Sequence, residues 1–308
     1  MKLLFINHME NNKMNTKKIG FIGLGIMGSA ISNNLLKSGL EVVGYDISQA
    51  ALNQFKNNGG ITASSPMDVA NQTHIIFTSL PTENVIREVI TGKDGICSSK
   101  NNHIVLELST MPLRLKLEMY HAMQTQNKIF MDCPVSGTGA QAATGDLIVF
   151  ASGDQGAYDI VKGIFPGMSK ANYHLGECGN GSKMKFLANL LVSIHNVAAG
   201  EVIALAGKAG MHLPDVYEVL KDSAGGSKMF AIRGPLMVNN QYDQVTATID
   251  TFMKDLGIIS EFANDLHCPT PLFDVTHQLY TACQNQGKGS LDTAAVCLLL
   301  EEFAGVKR

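Results

Sequence analysis

The sequence predicts an α/β protein in which a doubly wound parallel sheet is followed by an all-helical half. Two observations support this fold class. From Lys17 to about Tyr173, short apolar runs alternate with helical stretches, which is typical of a parallel sheet covered by helices on both faces. After Gly181, apolar residues recur at helical spacing and strand patterns almost disappear. The predicted division is an extension at 1–16, expected to be disordered, a sheet domain at 17–178 and a helical domain at 179–308.

Each predicted strand is a short run rich in β-branched and other apolar residues. These runs occupy residues 18–23, 41–46, 74–80, 103–109, 128–135 and 146–153. Helical stretches between them lie at 26–39, 48–58, 84–90 and 113–126. Strands that alternate with helices in this way are expected to lie parallel in one sheet.

The composition argues against several classes of function. A net charge of −3, with 45% hydrophobic and 17% charged residues, fits a folded protein without the positive surface that nucleic acids or anionic membranes attract. Six cysteines and nine histidines are dispersed without metal-ligand spacing, so no metal site is expected. Reduced thiols and the lack of a secretory leader favour a cytoplasmic location. The longest apolar stretch, residues 186–210, contains Asn189 and Glu201, which argues against a membrane span.

A glycine-rich turn follows the first predicted strand and opens the first helix. Its G-x-G-x-x-G spacing is formed by Gly23, Gly25 and Gly28. The first glycine permits a tight turn, the second lets backbone approach a pyrophosphate, and the third lets the helix pack closely on the strand. The helix N-terminus then offers N–H groups to the phosphates, so the turn with its intervening residues Ile26 and Met27 is a candidate dinucleotide site.

An acid at the end of the second strand supports this interpretation. Asp46 stands about 20 residues beyond the glycines, where a carboxylate accepts hydrogen bonds from the ribose hydroxyls and repels a 2′-phosphate. No arginine follows it, since the next residues are Ile47, Ser48 and Gln49. NAD is therefore favoured over NADP as cofactor. The alternative is a glycine turn with an incidental aspartate.

Two further motifs are candidates for substrate chemistry. Ser136, Gly137 and Thr138 follow a strand, where their hydroxyl and N–H groups could hold a carboxylate or, alternatively, cap a helix. Lys185 and Asn189 lie four residues apart near the start of the long predicted helix and would share a face as an acid/base and orienting pair. Burial would lower the pKa of such a lysine. From spacing alone, the interpretation of both as solvated residues on a helix surface is favoured, and Lys183 is an equal candidate for the acid/base role.

Four segments taken together resemble the β-hydroxyacid dehydrogenases, the 3-hydroxyisobutyrate dehydrogenase-like family. These segments are GFIGLGIMGSAISNNLLKSGLEVVGYD, DCPVSGTGAQAATGDL, GNGSKMKFLANLL and FMKDLGIISEFA, and the resemblance extends from Lys18 to about Glu302. It implies a Rossmann domain followed by a helical domain for substrate binding and dimerisation. It also implies that Lys185 is the catalytic lysine, that Asn189 holds substrate, and that Ser136 and Gly137 bind the substrate carboxylate. The residues implied at the cofactor are Leu80, Pro81, Thr110 and Lys254.

The chain departs from the family pattern at three positions that bear on substrate fit. Thr138 stands where glycine is usual, Ala188 where a second asparagine is frequent, and Ala247 where an aromatic residue is common. The second half resembles the L-threonate dehydrogenase subgroup most, through the segments VSIHNVAAGEVIALAGKAG, SAGGSKMFAIRG, FMKDLG and GKGSLDTAAV. This implies a polyhydroxylated four-carbon acid rather than an apolar branched acid.

The resemblance implies reversible hydride transfer between NAD and a small hydroxy acid bound between the two domains. Lys185 would exchange the hydroxyl proton, and the apolar long helix would support a homodimer or homotetramer. Three other functions stay open. A sister specificity, such as a tartronate semialdehyde or glyoxylate-type reductase, is the nearest. An imine reductase is the second, although those enzymes usually lack the lysine at the position of Lys185. The third is a non-catalytic dinucleotide-binding sensor, which would bind NAD without turning over any hydroxy acid.

Overall fold

The first half of the chain forms a parallel six-stranded sheet in the computed structural model, which describes residues 16–308. The predicted N-terminal extension lies, except for Thr16, outside the described residues. The sheet contains β1 (Lys18–Ile22), β2 (Glu41–Tyr45), β3 (Ile61–Thr62), β4 (Ile75–Thr78), β5 (Ile104–Glu107) and β6 (Ile129–Asp132). Helices between them are α1 (Ile26–Lys37), α2 (Gln49–Asn57), α3 (Pro66–Gln72), α4 (Glu83–Thr91) and α5 (Leu113–Thr125).

The strand order is β3-β2-β1-β4-β5-β6, and every neighbouring pair is parallel. All residues of β4, β5 and β6 are buried, as expected for strands with helices on both faces. The order reverses between β1 and β4, and in such sheets ligands bind beyond the carboxyl ends of the strands at this reversal. The predicted fold class is confirmed.

A second, three-stranded sheet follows β6 and was not predicted. It contains β7 (Val135–Ser136), β8 (Leu147–Ala151) and β9 (Ser169–His174), with β8 antiparallel to β7 and parallel to β9. Short helices α6 (Gly139–Ala143) and α7 (Gln155–Val161) lie within this region.

The placement of the predicted run at 146–153 in the parallel sheet was therefore wrong. The preceding run breaks at Pro134, which has no N–H to donate, and the chain turns there into the second sheet. The predictions also missed β3, which has two exposed residues, and β9, whose sequence SKANYH is largely polar.

The described residues from Phe186 onward form a second compact unit that is helical. Its helices are α8 (Asn180–Lys208), α9 (Leu213–Lys221), α10 (Lys228–Val238), α11 (Ile249–Asp265), α12 (Pro271–Cys283) and α13 (Val296–Ala304). The first unit ends at Lys185, so the division falls inside α8 rather than before it. A buried ion pair between Arg233 and Asp292, 2.5 Å apart, lies within the second unit.

The long helix α8 is unusually apolar. Among residues 16–308 it is the one helix whose length and apolar composition could span a membrane. Ser193 and Asn196 within it are fully buried, and the Asn196 amide donates to the hydroxyl of Tyr280 at 3.2 Å. Such polar contacts are those of a core helix in a folded unit.

Candidate active site

The three glycines of the first turn have different structural roles. Gly23 has φ of +91°, and its N–H donates to the carbonyl of Tyr45 at 2.9 Å. A Cβ on Gly28 would lie 2.9 Å from the carbonyl carbon of Gly23 and closer still to its oxygen, so only glycine allows this close packing. A Cβ on Gly25 would meet no atom within 4 Å. The backbone at Gly25 is thus open to an incoming group.

The start of α1 provides the polar groups at this opening. Gly25 is its N-cap residue and supplies no side-chain cap, so the N–H groups of the first turn have no side-chain acceptor from the cap. Ile26 in that turn is 83% exposed. Free N–H groups and the positive end of the helix dipole suit a phosphate group.

Asp46 lies beside this turn at the end of β2. One carboxylate oxygen accepts the N–H of Leu24 at 2.6 Å, and the other accepts the N–H of Ser48 at 2.8 Å. Each carboxylate oxygen has a further lone pair, and the side chain is only partly buried. The turn, the helix start and this carboxylate therefore fit a dinucleotide whose ribose hydroxyls face Asp46.

The ends of β4 and β5 are joined by hydrogen bonds. The N–H of Leu80 donates to Oγ of Ser109 at 2.8 Å, and the N–H of Ser109 donates to Oε1 of Glu107 at 3.0 Å. Leu80, the neighbouring Pro81 and Thr110 thus lie at the carboxyl edge of the sheet, where the cofactor contacts were predicted.

The loop predicted to hold a carboxylate lies next to the glycine-rich turn. A Cβ on Gly139 would lie 2.9 Å from the side chain of Ile26. Thr138 caps α6 in this structure: its N–H donates to Oε1 of Gln141 at 3.0 Å and its hydroxyl accepts the N–H of Gln141 at 3.5 Å. Thr138 therefore acts as a helix cap, which was the alternative to carboxylate binding. Ser136 and Gly137 precede this cap. Their substrate role stays a prediction.

Sequence spacing made Lys185 and Lys183 equal candidates for the acid/base role, but the two lysines differ in exposure. Lys185 is 8% exposed, whereas Lys183 is exposed and donates to Oδ1 of Asn180 at 3.1 Å. The helix start reaches this position because Gly181 is small: a Cβ there would lie 2.6 Å from the carbonyl oxygen of Asp132. Burial therefore singles out Lys185 as the acid/base candidate of the two.

Sequence reasoning missed the residue that holds this helix start. Asp132, at the end of β6, accepts the N–H of Ser182 at 2.7 Å and its hydroxyl at 2.9 Å. Asp132 lies at the carboxyl end of a predicted strand, and that position could have indicated a residue near the site.

In the second unit, Asn189 is buried and paired. Its Nδ2 donates to Oδ2 of Asp255 at 2.9 Å, which fixes the orientation of the amide. Lys254 has a side chain 42% exposed, and its Nζ lies 3.6 Å from the same carboxylate. Asp255 was overlooked although it follows the predicted Lys254 directly in the K-D-L motif.

Two family models together cover almost all of the described chain. One, described as the NAD binding domain of 6-phosphogluconate dehydrogenase, matches residues 18–176. The other, described as NAD-binding of NADP-dependent 3-hydroxyisobutyrate dehydrogenase, matches residues 179–300.

Individual relatives agree with these matches. L-threonate dehydrogenase of Cupriavidus necator is 30% identical over 294 residues, 95% of this chain and 98% of the relative. L-threonate dehydrogenase of Haemophilus influenzae is 31% identical over 301 residues, 97% of this chain and 98% of the relative. The solved structure of a 3-hydroxyisobutyrate dehydrogenase from Salmonella typhimurium is 30% identical with a TM-score of 0.81, covering 92% and 99% of the two chains.

These matches confirm the resemblance seen in the motifs. They also show that the chain is an enzyme with NAD(P)-binding domains that acts on a hydroxyl group. The chain belongs to the 3-hydroxyisobutyrate dehydrogenase-like family of β-hydroxyacid dehydrogenases.

Proposed function

We propose that this enzyme oxidises a small polyhydroxylated acid of the L-threonate type with NAD, using Lys185 as the general acid/base. The observation that supports the role of Lys185 is its burial in the first turns of α8, whose start is bonded to Asp132 at the carboxyl edge of the parallel sheet. The glycine-rich turn lies at the same edge, at the end of β1.

The proposed chemistry needs one base and two binding groups. A dinucleotide held by the glycine-rich turn and Asp46 would supply the acceptor for the hydride of the carbinol carbon. Neutral Lys185 takes the hydroxyl proton as the carbonyl forms, and the protonated amine returns it in the reverse reaction. Ser136 and Gly137 hold the carboxylate of the substrate. Asn189 orients the reacting hydroxyl through an amide that Asp255 keeps fixed.

A preference for NAD follows from Asp46. Its carboxylate would accept the ribose hydroxyls, while a 2′-phosphate would bring a second negative charge against it. Both carboxylate oxygens are already held by backbone N–H groups, so the side chain cannot swing away without losing the contacts of Leu24 and Ser48.

The proposed substrate class rests on the relatives and on two departures from the family pattern. Both relatives described above are L-threonate dehydrogenases, each about as long as this chain. Ala247 leaves more room than the aromatic residue common in the family, and Thr138 replaces a glycine. The space left by Ala247 would suit a four-carbon acid with several hydroxyl groups.

We also propose a cytoplasmic homodimer or homotetramer. Leu187, Leu191 and Leu205 are 53%, 52% and 72% exposed on α8. Large apolar side chains left exposed at intervals along one helix are typical of a surface that a second copy covers. The free cysteines agree with a reducing compartment.

The test is NADH or NADPH formation by the purified protein with L-threonate, D-threonate, 3-hydroxyisobutyrate, D-glycerate and serine. Turnover that is fastest with L-threonate and NAD is the expected result. Faster turnover of 3-hydroxyisobutyrate or D-glycerate would move the assignment to a sister specificity. NADH binding without turnover of any acid would instead favour the non-catalytic dinucleotide sensor.

A further inference from the structure

A buried cluster of three charged side chains lies behind the carboxyl edge of the main sheet. Glu107 ends β5, Asp132 ends β6, and Lys116 lies in α5; their side chains are at most 1% exposed. The Lys116 ammonium donates to a carboxylate oxygen of Glu107, lies 3.0 Å from Oδ1 of Asp132 and donates to the carbonyl of Ser109 at 2.8 Å. All three donors of the ammonium are thus used within the first unit.

The cluster contacts two different segments of the candidate site. On one side, Glu107 accepts the N–H of Ser109, whose hydroxyl accepts the N–H of Leu80. On the other side, Asp132 accepts both the N–H and the hydroxyl of Ser182, three residues before Lys185. Lys116 joins the two sides through its bonds to both carboxylates.

The charges of the cluster do not cancel among the side chains alone. Two carboxylates and one ammonium leave one negative charge, and Asp132 directs its oxygens at the N-terminus of α8, where the helix dipole is positive. Burial opposes the charged ammonium, but Asp132 and Glu107 outweigh it and raise the pKa of Lys116. Lys116 therefore stays charged.

A buried ion cluster is a costly way to stabilise a fold. Apolar residues of similar volume are often as stable or more stable at such positions. Buried charged groups fix the distance and orientation of their partners, because their hydrogen bonds are lost when those partners move. This favours a role in fixing geometry, since both sides of the cluster lead to predicted site residues.

We propose that Glu107, Lys116 and Asp132 are positioning residues that hold the first turn of α8, and with it Lys185, in register with the loops after β4 and β5. The inference rests on the proposed function in taking Lys185 as the acid/base. A displacement of about 1 Å between reacting groups is enough to lower turnover about 100-fold.

The decisive variant removes the connection but keeps the charge balance. Lys116→Met alone leaves two buried carboxylates without their cation and is expected to fold poorly. The double variant Lys116→Met/Glu107→Gln removes one positive and one negative charge together, so the net charge of the cluster is unchanged. The amide oxygen of the introduced glutamine can still accept the N–H of Ser109, so the loop after β5 keeps this contact.

Ser193→Ala is the matched control, because the hydroxyl of this buried serine of α8 donates to the carbonyl of Leu190 in its own helix.

Three quantities are measured for the double variant, the control and the wild type. They are the urea midpoint of unfolding, amide hydrogen exchange over residues 179–189, and kcat and KM with NAD and the best acid. Because Asp132 loses its cation, the proposal predicts a lower urea midpoint with unfolding still cooperative. It also predicts faster exchange at the start of α8 than in the rest of the chain, and a kcat about 100-fold lower with KM little changed. Ser193→Ala should change none of these.

A folded double variant with wild-type kcat, or with unchanged exchange at 179–189, would overturn the positioning role. A wild type that turns over no acid would defeat the proposed function instead. Hydrogen exchange would then decide the positioning role alone, because it needs no substrate.

Discussion

Alanine at Gly25 should separate cofactor binding from stability. Gly25 has φ of −67° and ψ of −165°, which alanine adopts without strain, and its added methyl would meet no atom within 4 Å. Alanine is a poorer N-cap than glycine but restricts the unfolded chain, so the two effects oppose each other. We expect the free energy of unfolding to change by less than about 1 kcal/mol.

The same methyl would stand where the pyrophosphate is expected to approach the start of α1. Loss of one charge-assisted hydrogen bond costs about 1.5–3 kcal/mol, which corresponds to NADH binding about 10- to 150-fold weaker. Gly28→Ala should behave differently, because its Cβ would overlap the carbonyl of Gly23 and separate α1 from β1. That overpacking should cost about 3 kcal/mol or more of stability.

Urea denaturation and NADH fluorescence titration measure the two effects separately. Gly163→Ala is the control, since its Cβ would also meet nothing within 4 Å and it is exposed after α7. If Gly25→Ala binds NADH as tightly as Gly163→Ala does, the pyrophosphate does not approach this backbone and the dinucleotide site is misplaced.

Three further predictions concern single side chains. Asp46→Ser should lower kcat/KM with NAD about 10-fold or more and raise the ratio of NADP to NAD activity, whereas an unchanged ratio would remove Asp46 from cofactor selection. Burial, together with the charge of Lys128, lowers the pKa of His103 from 6.5 to about 3. Below pH 6.5 the unfolded chain therefore binds a proton that the folded chain does not, and the free energy of unfolding should fall by about 1.4 kcal/mol per pH unit. Urea titrations at pH 7, 6 and 5 should show a shallower fall for His103→Gln, and parallel curves would contradict this. Asn189→Ala should lower kcat/KM for the acid about 10- to 100-fold with NADH affinity unchanged, and a matching loss of NADH affinity would mean that the amide serves the cofactor instead.

The glycine-rich turn could be predicted from sequence because its determinants are local. A strand, three spaced glycines and a helix follow one another directly, and Asp46 completes the pattern at the next strand end. The physical roles expected for Gly23 and Gly28 agree with the positive φ of one and the close packing of the other.

The buried charge cluster could not be predicted in the same way. Lys116 and Glu107 are nine residues apart, and Ser182 and Asp132 are 50 apart, so only the assembled sheet brings them together. A lysine in an amphipathic helix is ordinarily read as exposed. The second sheet was missed for a related reason, since the apolar run of β8 does not reveal which neighbour it pairs with.

The most direct test of the account compares Lys185→Ala with Lys183→Ala in NADH formation from L-threonate. The two lysines lie two positions apart in α8, but one is buried and the other is exposed and bonded to Asn180. Loss of a general acid/base should lower kcat about 100- to 10,000-fold in Lys185→Ala, while Lys183→Ala should stay close to wild type. Turnover that survives in Lys185→Ala would show that another group takes the proton.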